Sequence, residues 1–322
     1  MPKISVLMPV YNSASSLEMA VNSILNQSLK DLELIAVNDG SKDDSLEILE
    51  KISSFDSRLK VYSKENGGIV SALNYGIDHC NGEFIARMDS DDISKKNRFI
   101  NQIEHLEFNK LDLIGSNITT FKDGSLIKTG KKYPEGLKLN THILFNSPFA
   151  HPTIFGKSEL FQQFRYSNEL GIAEDYKFVS DLFINGKRLG NIDKSLLLYR
   201  KSLYQLTVSK KQEIASSRLR ISENIISKIC SSCDEIIFKR ISKRCFLGCD
   251  TELDLINQLI DGDFLDYDSE VIQYHYFVHC FYAYQSSGFK NVVSKNIKLF
   301  YSFLGAKYLS FLLASNVIHR LR

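Results

Sequence analysis

Short apolar runs alternate with helix-like stretches along the first part of the chain. Four runs predict strands, at Lys3–Met8, Leu32–Val37, Leu59–Tyr62 and Glu83–Met88. After the first run Ser13 is a candidate helix cap, and apolar residues then recur with the spacing of one helix face, at Leu17, Ala20, Val21, Ile24 and Leu25. The order β-α-β-α-β-α-β predicts an α/β fold with a mostly parallel sheet and helices on both faces.

Two further signals in this region mark helix starts. Ser41 and Asp44 have the spacing of a capping box, which predicts a helix through Leu46, Leu49 and Ile52. The run Asn66-Gly67-Gly68 predicts a turn before a third helix, which passes through Asn74 and ends at about Cys80.

The pattern after Leu111 is more mixed. Leu113-Ile114-Gly115 and Ile118–Phe121 predict extra strands, and Asp123-Gly124 predicts a hairpin turn. A helix after Asp175 is expected to end at Asn185-Gly186. We therefore expect a catalytic α/β domain at residues 1–210 and a helical C-terminal region at residues 211–322.

The composition is that of an ordinary globular protein, with 24% charged and 43% hydrophobic residues and a formal net charge of +2. A net charge this close to zero gives no indication of a nucleic-acid partner. The opening residues Met1-Pro2-Lys3 lead directly into a strand rather than a secretory signal. We therefore expect a cytoplasmic protein whose six cysteines are reduced.

Four of these cysteines have a spacing that a zinc ion could use, at Cys230, Cys233, Cys245 and Cys249. The segment between the two pairs has the pattern of an amphipathic helix, and free cysteine is a common small core residue. We therefore favour core cysteines over zinc.

The predicted strand ends bring polar residues together. Ligands of an open parallel sheet bind beyond the carboxyl ends of its strands, so Asn38-Asp39-Gly40 and Asp89–Asp92 should line one crevice. The run Pro9–Ser13 after the first strand contains no glycine-rich phosphate loop. Ordinary dinucleotide and P-loop chemistry are therefore disfavoured.

The run Asp89-Ser90-Asp91-Asp92 crowds three carboxylates at the end of a buried strand. Like charges this close repel, and a divalent cation removes the repulsion. Hard oxygen ligands select Mg²⁺ or Mn²⁺, which bridge carboxylates to substrate phosphates. The alternative is a helix cap by Asp92 or Ser94, but a cap would explain one acid and not three.

Several of these segments occur together in a familiar order. They are Ile4–Asn12, Val37–Asp43, Asn66-Gly67-Gly68 with Ala72 and Asn74, Asp89–Asp92, Glu174-Asp175-Tyr176 and Leu198-Tyr199-Arg200. In this order and spacing the chain resembles the family 2 glycosyltransferases of GT-A fold, from residue 4 to about residue 205. The resemblance implies inverting transfer from a nucleoside diphosphate sugar, usually UDP-linked.

The resemblance also implies roles for individual residues at the donor. Pro9 and Tyr11 would neighbour the nucleobase, and Asp39 would accept a hydrogen bond from uracil, with an Asx-turn as its alternative role. Asn66 and Gly68 match a loop that approaches the donor, where a side chain at Gly68 would block backbone contact. The metal would be held by Asp89, which also matches the ribose-side acid, and by Asp91; the diphosphate candidates are Arg98 and Arg200.

On the acceptor side, Asp175 matches the general base that removes the acceptor hydroxyl proton. A position at a helix N-terminus should favour its ionised form, although Glu174 and Asp175 could merely complement the helix dipole. His151 and Glu174 match segments near the acceptor. One departure is Ser202, which stands where many relatives have a histidine two residues after the matching arginine, and it leaves the metal coordination beyond the aspartates open.

Two other functions compete with this reading. A sugar-phosphate nucleotidyltransferase should have a glycine-rich basic loop after the first strand, and Pro9–Ser13 has neither glycine nor lysine. A non-catalytic scaffold that binds sugar nucleotides would be favoured by loss of a site carboxylate, but all the matching acids are present.

The resemblance further implies an acceptor, a glycan or a sugar linked to undecaprenyl diphosphate, as in bacterial O-antigen or capsule synthesis. The tail Leu299–Ile318 is apolar but includes Lys307 near its centre, which disfavours a membrane span. We expect this helix to lie on the cytoplasmic membrane surface, with packing on the catalytic domain as the alternative.

Overall fold

A computed structural model of the chain describes residues 1–123, 129–201 and 210–229. The first half contains β1 (Ile4–Val10), α1 (Ala14–Leu25), β2 (Leu32–Asp39), α2 (Ser45–Phe55), β3 (Leu59–Lys64), α3 (Ile69–Ile77) and β4 (Phe84–Arg87). This is the predicted order of elements, and the strands begin and end close to the predicted residues.

The second half follows with β5 (Ile93–Ser94), α4 (Arg98–Phe108), β6 (Leu113–Phe121), β7 (Thr129–Lys131), α5 (Gly136–Ile143), β8 (Phe155–Lys157), α6 (Ser158–Gln163), α7 (Glu174–Ile184), β9 (Leu189–Arg200) and α8 (Lys211–Ile229). The two segments predicted between Leu113 and Phe121 form one strand, whose pairing with β9 is irregular at Ser116 and Asn117. β7 pairs antiparallel with β6, as a hairpin requires, and the predicted turn residue Gly124 lies outside the described residues.

The strands form one sheet in the order β3-β2-β1-β4-β8-β6-β9-β5, with β7 added on β6. β3, β2, β1 and β4 are parallel, as predicted, whereas β8 runs antiparallel to both β4 and β6. The carboxyl ends of β1, β2 and β4 therefore share one edge of the sheet.

Successive side chains of a strand point to opposite faces of the sheet. Both faces of this sheet are apolar, and helices cover both of them. In β1, Val6 and Met8 pack with α1 in one buried cluster, and Leu7 packs with Leu73 of α3 in another. The predicted apolar face of α1 is buried throughout. α8 contributes Ile221 and Ile225 to the second cluster, and the division of the chain at residue 210 stays a prediction.

The two predicted caps are wrong in their hydrogen bonds. Ser13 precedes α1, but its hydroxyl bonds Ser90 Oγ at 2.7 Å and makes no cap. Ser41 Oγ accepts from the Asn12 amide at 3.0 Å, and α2 begins only at Ser45. Both hydroxyls tie loops together at the sheet edge. Ala14 and Ser45 are the first residues of α1 and α2. Their amides donate instead to the carboxylate of Asp43, at 3.0 Å and 3.1 Å.

Several predictions concern residues outside the described part of the chain. The cysteines at positions 230, 233, 245 and 249, Ser202 and the apolar tail at residues 299–318 all lie there. Of the helices that the structure describes, none combines the length and apolar character needed to cross a membrane.

Close packing at Gly82 leads to a stability prediction. A Cβ atom there would lie 2.4 Å from the Ser5 amide nitrogen and 2.7 Å from the Ile4 carbonyl carbon, both backbone atoms. Gly82→Ala should therefore lower the free energy of unfolding by about 1–3 kcal/mol, a typical cost of overpacking. Gly130→Ala is the matched control because its Cβ would meet nothing within 4 Å. Urea unfolding of both variants measures the difference, and equal stability would contradict the prediction.

Candidate active site

The loop after β1 joins the loops after β2 and β4. The Asn12 amide donates to Ser41 Oγ, and Asn12 Oδ1 accepts from the Lys42 amide at 2.8 Å. On the other side, the Ser13 and Ser90 hydroxyls are 2.7 Å apart. The two acid-bearing strand ends thus lie at one edge, as the sequence predicts.

Three carboxylates converge after β4. Asp89, Asp91 and Asp92 each offer one oxygen, and these oxygens lie within 4.8 Å of one another. Burial, and then the charge of Asp89, raise the pKa of Asp91 to about 6. Burial and the same neighbouring acids raise the pKa of Asp92 well above its usual range. The negative charges of these three carboxylates therefore repel one another and favour the binding of a proton or a cation.

These residues fit a divalent cation. Asp92 is 1% exposed, and its Oδ1 accepts from the Arg200 amide at 2.8 Å. Its Oδ2 is buried without a hydrogen-bond partner in the described residues, an arrangement that a metal ligand bond would satisfy. The capping role considered for Asp92 is wrong because α4 begins only at Arg98, with Asn97 at its N-cap position. The structure thus adds Asp92 to the acids that the sequence assigned to the metal.

Arg87 is a residue that sequence reasoning missed. It is 3% exposed at the end of β4, and its Nη1 lies 2.5 Å from Asp89 Oδ2. Burial opposes its charge, but the charge and close contact of Asp89, together with the charges of Tyr166 and Asp92, outweigh burial and raise the pKa of Arg87. Its charge also opposes, in part, the rise in the pKa values of Glu174 and Asp175, although for Asp175 the charge of Arg218 has the larger effect. The available signal was an arginine in an otherwise apolar strand, directly before the acid run.

The two arginines proposed for the diphosphate lie in different places. Arg200 contacts the acid run, because its Nε donates to the Asp91 carbonyl at 2.7 Å. Its guanidinium also lies 4.7 Å from the Phe121 ring centre. Arg98 is completely buried and donates to the Arg87 carbonyl at 2.8 Å and to Gln102 Oε1 at 3.0 Å. Its guanidinium therefore supports β4 from inside the core. We correct its assignment to the diphosphate, and it makes no surface ion pair either.

Asp39 holds the glycine loop that follows β3. Its carboxylate accepts from the amides of Gly67 at 2.9 Å and Gly68 at 2.8 Å, and its carbonyl accepts from Asn66 Nδ2 at 2.8 Å. A Cβ atom at Gly68 would meet nothing within 4 Å, and its φ of +82° is what requires glycine. Among the described residues, the Asp39 carboxylate accepts from Lys64 and the glycine loop and makes no Asx-turn, and the Ser41 amide donates instead to Asn38 Oδ1 at 3.3 Å.

The remaining donor residues lie at the end of β1. Pro9 is buried opposite Val37 of β2. Tyr11 follows the strand and is 51% exposed, which leaves its ring open for stacking. Their nucleobase roles stay predictions.

The acceptor-side residues lie around the start of α7. Glu174 and Asp175 form its first turn. Burial, and then the charge of Asp175, raise the pKa of Glu174 to about 7, and burial also raises the pKa of Asp175. The expectation that the helix N-terminus keeps Asp175 readily ionised is thus wrong in direction, since desolvation outweighs the backbone N–H groups. His151 Nε2 lies 3.1 Å from the Tyr166 hydroxyl, and burial holds the pKa of His151 well below its usual range.

Comparison with known proteins gives a consistent picture. A family model described as glycosyl transferase family 2 matches residues 5–165. An uncharacterized glycosyltransferase of Haemophilus influenzae is 33% identical over 212 residues, which cover 62% of this chain and 65% of that protein. The O-antigen biosynthesis glycosyltransferase WbnJ of Escherichia coli is 34% identical over 207 residues, which cover 61% of this chain and 79% of that protein. The match thus spans less than two thirds of the Haemophilus relative.

Two solved structures share the fold. Residues 1–349 of S. aureus TarS, in complex with UDP-GlcNAc, align with a TM-score of 0.57 at 21% identity, over 80% of each chain. The mannosyltransferase PcManGT of Pyrobaculum calidifontis, in complex with GDP-Man and Mn²⁺, aligns with a TM-score of 0.53 at 12% identity, over 89% of this chain and 88% of that one. These likenesses show the GT-A fold that the sequence predicted.

The raised pKa of Glu174 predicts a pH-dependent stability. A pKa of about 7 in the folded state, against an ordinary 4.5, means that the folded protein binds this proton more tightly than the unfolded chain. The stabilisation is fully present below about pH 4.5 and is lost as pH rises through about 7. Urea unfolding from pH 5 to pH 8 should show a smaller fall in stability for Glu174→Gln than for wild type. The exposed variant Glu18→Gln should follow wild type, and an unchanged slope in Glu174→Gln would rule the effect out.

Proposed function

The chain belongs to glycosyl transferase family 2, and from that premise we propose that it is a metal-dependent, inverting glycosyltransferase. It moves a hexose or an N-acetylhexosamine from a UDP-sugar to a glycan acceptor. The observation that carries the proposal is the convergence of Asp89, Asp91 and Asp92 beside Arg87, whose charge also reaches Glu174 and Asp175. In this proposal, a metal site at the edge of the sheet works together with a second pair of acids.

The donor would bind across the ends of β1, β2 and β4. Tyr11 and Pro9 border the nucleobase, and Asp39 accepts from the imide N–H of uracil. The backbone of Asn66 and Gly68, anchored on Asp39, forms the wall of this pocket. A UDP-sugar is supported by the likeness to TarS, whose structure contains UDP-GlcNAc.

The diphosphate would lie over the acid run. Asp89, Asp91 and Asp92 hold the divalent cation, Mn²⁺ or Mg²⁺, and Arg200 lies against the same run through its bonds to Asp91 and Asp92. When bound, the cation neutralises charge on the departing diphosphate. Asp92 Oδ2 is the buried oxygen best suited to a ligand bond, because within the described residues it has no other partner.

The base would be Asp175. It removes the proton of the acceptor hydroxyl while that oxygen attacks the anomeric carbon from the face opposite the diphosphate, which inverts the configuration. Glu174, with a pKa of about 7, is protonated for part of the time and can donate a hydrogen bond to the acceptor. His151 is held neutral by burial and by Arg87, so it can accept or donate a hydrogen bond to the acceptor without adding charge.

One relative supports the proposed acceptor class. WbnJ is named for O-antigen biosynthesis, which agrees with the lipid-linked acceptor that the sequence resemblance implies. We therefore propose a sugar on undecaprenyl diphosphate as acceptor, and a cytoplasmic protein that works at the inner face of the membrane. The C-terminal tail, which is apolar at residues 299–318 and has basic residues on either side of that run, would supply the membrane contact.

The metal assignment predicts that Asp91→Asn loses transfer. The substitution removes one of three converging carboxylates, and with it most of the affinity for the cation. Transfer from UDP-sugars to a lipid-linked acceptor should fall about a hundredfold or more, and EDTA should have the same effect on wild type. Asp31→Asn, at an exposed position, is the control. Undiminished transfer by Asp91→Asn in EDTA would contradict the metal site.

The base assignment predicts that Asp175→Asn separates binding from turnover. The amide cannot take the acceptor proton, so the rate of transfer should fall about a hundredfold or more. The Kd for UDP should stay within about twofold, since Asp175 lies on α7 and not on the donor loops. Single-turnover rates and calorimetry measure the two quantities. A variant that loses UDP binding while its single-turnover rate is kept would show that the base lies elsewhere.

A further inference from the structure

A lysine lies against the acid proposed to contact the nucleobase. Asp39 and Lys64 are the last residues of β2 and β3, and they are direct partners in the parallel pairing of those strands. Lys64 Nζ lies 2.8 Å from Asp39 Oδ1, and their side chains are only 20% and 5% exposed. The strand register therefore places this ion pair at the carboxyl edge of the sheet.

The glycine loop is shaped around the pair. A Cβ atom at Gly67 would come within 2.8 Å of Lys64 Nζ, so the absence of a side chain makes room for the ammonium. The Gly67 amide donates to Asp39 Oδ1 at 2.9 Å, and the Gly68 amide donates to Oδ2 at 2.8 Å. Asp39, Lys64 and the two glycines thus form one hydrogen-bonded unit. We name its two charged side chains the Asp39–Lys64 pair.

The Asp39–Lys64 pair has unused hydrogen-bonding positions that a ligand could occupy. A carboxylate has about four acceptor positions, and the described residues occupy three of them on Asp39, leaving one on Oδ2. A lysine ammonium has three N–H groups, of which two go to Asp39 Oδ1 and to the Glu65 carbonyl at 2.5 Å. Within the described residues, one acceptor position on Asp39 Oδ2 and one N–H of Lys64 therefore remain, on side chains that are only 5% and 20% exposed.

We propose that Lys64 is a nucleobase-specificity residue, which donates to a carbonyl of the donor's uracil while Asp39 accepts from the neighbouring imide N–H. This inference rests on the proposed function. Uracil presents its imide N–H between two carbonyl groups, so the Asp39–Lys64 pair matches one N–H and one carbonyl. Cytosine has an unprotonated ring nitrogen in place of the imide N–H, and that nitrogen would face the Asp39 carboxylate.

Lys64→Met tests the proposal because it keeps the length of the side chain and removes its donor. Calorimetry on the full-length protein should show UDP binding about tenfold or more weaker, the size expected for a charge-assisted hydrogen bond. CDP binding should change much less, so the preference for UDP over CDP shrinks. Lys60→Met, at an exposed position of the same strand, should leave both affinities unchanged.

Uracil analogues test the contact without a variant. UDP carrying sulfur in place of either the 2- or the 4-carbonyl oxygen is a poorer acceptor at that position. One of the two analogues should bind wild type several-fold more weakly than UDP, and Lys64→Met should show no such difference.

The outcomes separate this inference from the function it rests on. Equal weakening of UDP and CDP in Lys64→Met, or equal binding of UDP and both thio-analogues by wild type, would overturn the role of Lys64 while UDP binding and transfer stand. Failure of wild type to bind UDP at all would overturn the proposed function together with this inference.

Discussion

The charge of Arg87 is the interaction on which the site depends. The guanidinium is buried at the end of β4 and pairs with Asp89, and its field reaches the acids at the start of α7. Without it, the carboxylates of two separate elements would face each other in a desolvated place. Burial already raises the pKa values of Asp91 and Glu174. Arg87 thus offsets part of the electrostatic cost of placing acids after β4 and at the start of α7.

The support for this arginine comes from inside the core. Arg98 is fully buried and donates to the Arg87 carbonyl, and Gln102 links the same helix to the Thr153 carbonyl at 2.7 Å. Thr153 belongs to the short 3-10 turn that begins at His151. The strand end with the acids and the turn with the histidine are therefore held by one buried polar network.

The other half of the site depends on strand register. Because Asp39 and Lys64 are partners across β2 and β3, a shift of one residue would separate them and release the glycine loop. Asp39 anchors this loop through its carboxylate, which accepts from the amides of Gly67 and Gly68, and through its carbonyl, which accepts from Asn66 Nδ2. The proposed donor end of the site thus depends on pairing within the sheet, whereas the proposed metal end depends on charge.

The sequence by itself determined the order of the first seven strands and helices, because apolar periodicity is local, and it identified the acid run, because those carboxylates are contiguous. Tertiary structure alone decided the orientation of Arg98, which packing of α4 on β4 turns into the core. It also decided the use of Ser13 and Ser41, whose hydroxyls bond other loops instead of helix ends. The role of Arg87 likewise depends on tertiary structure, since its charge acts on Asp89 and also on Glu174 and Asp175, which are far away in sequence. Local patterns show which face of an element is apolar, but the partner of each polar group depends on what folding brings against it.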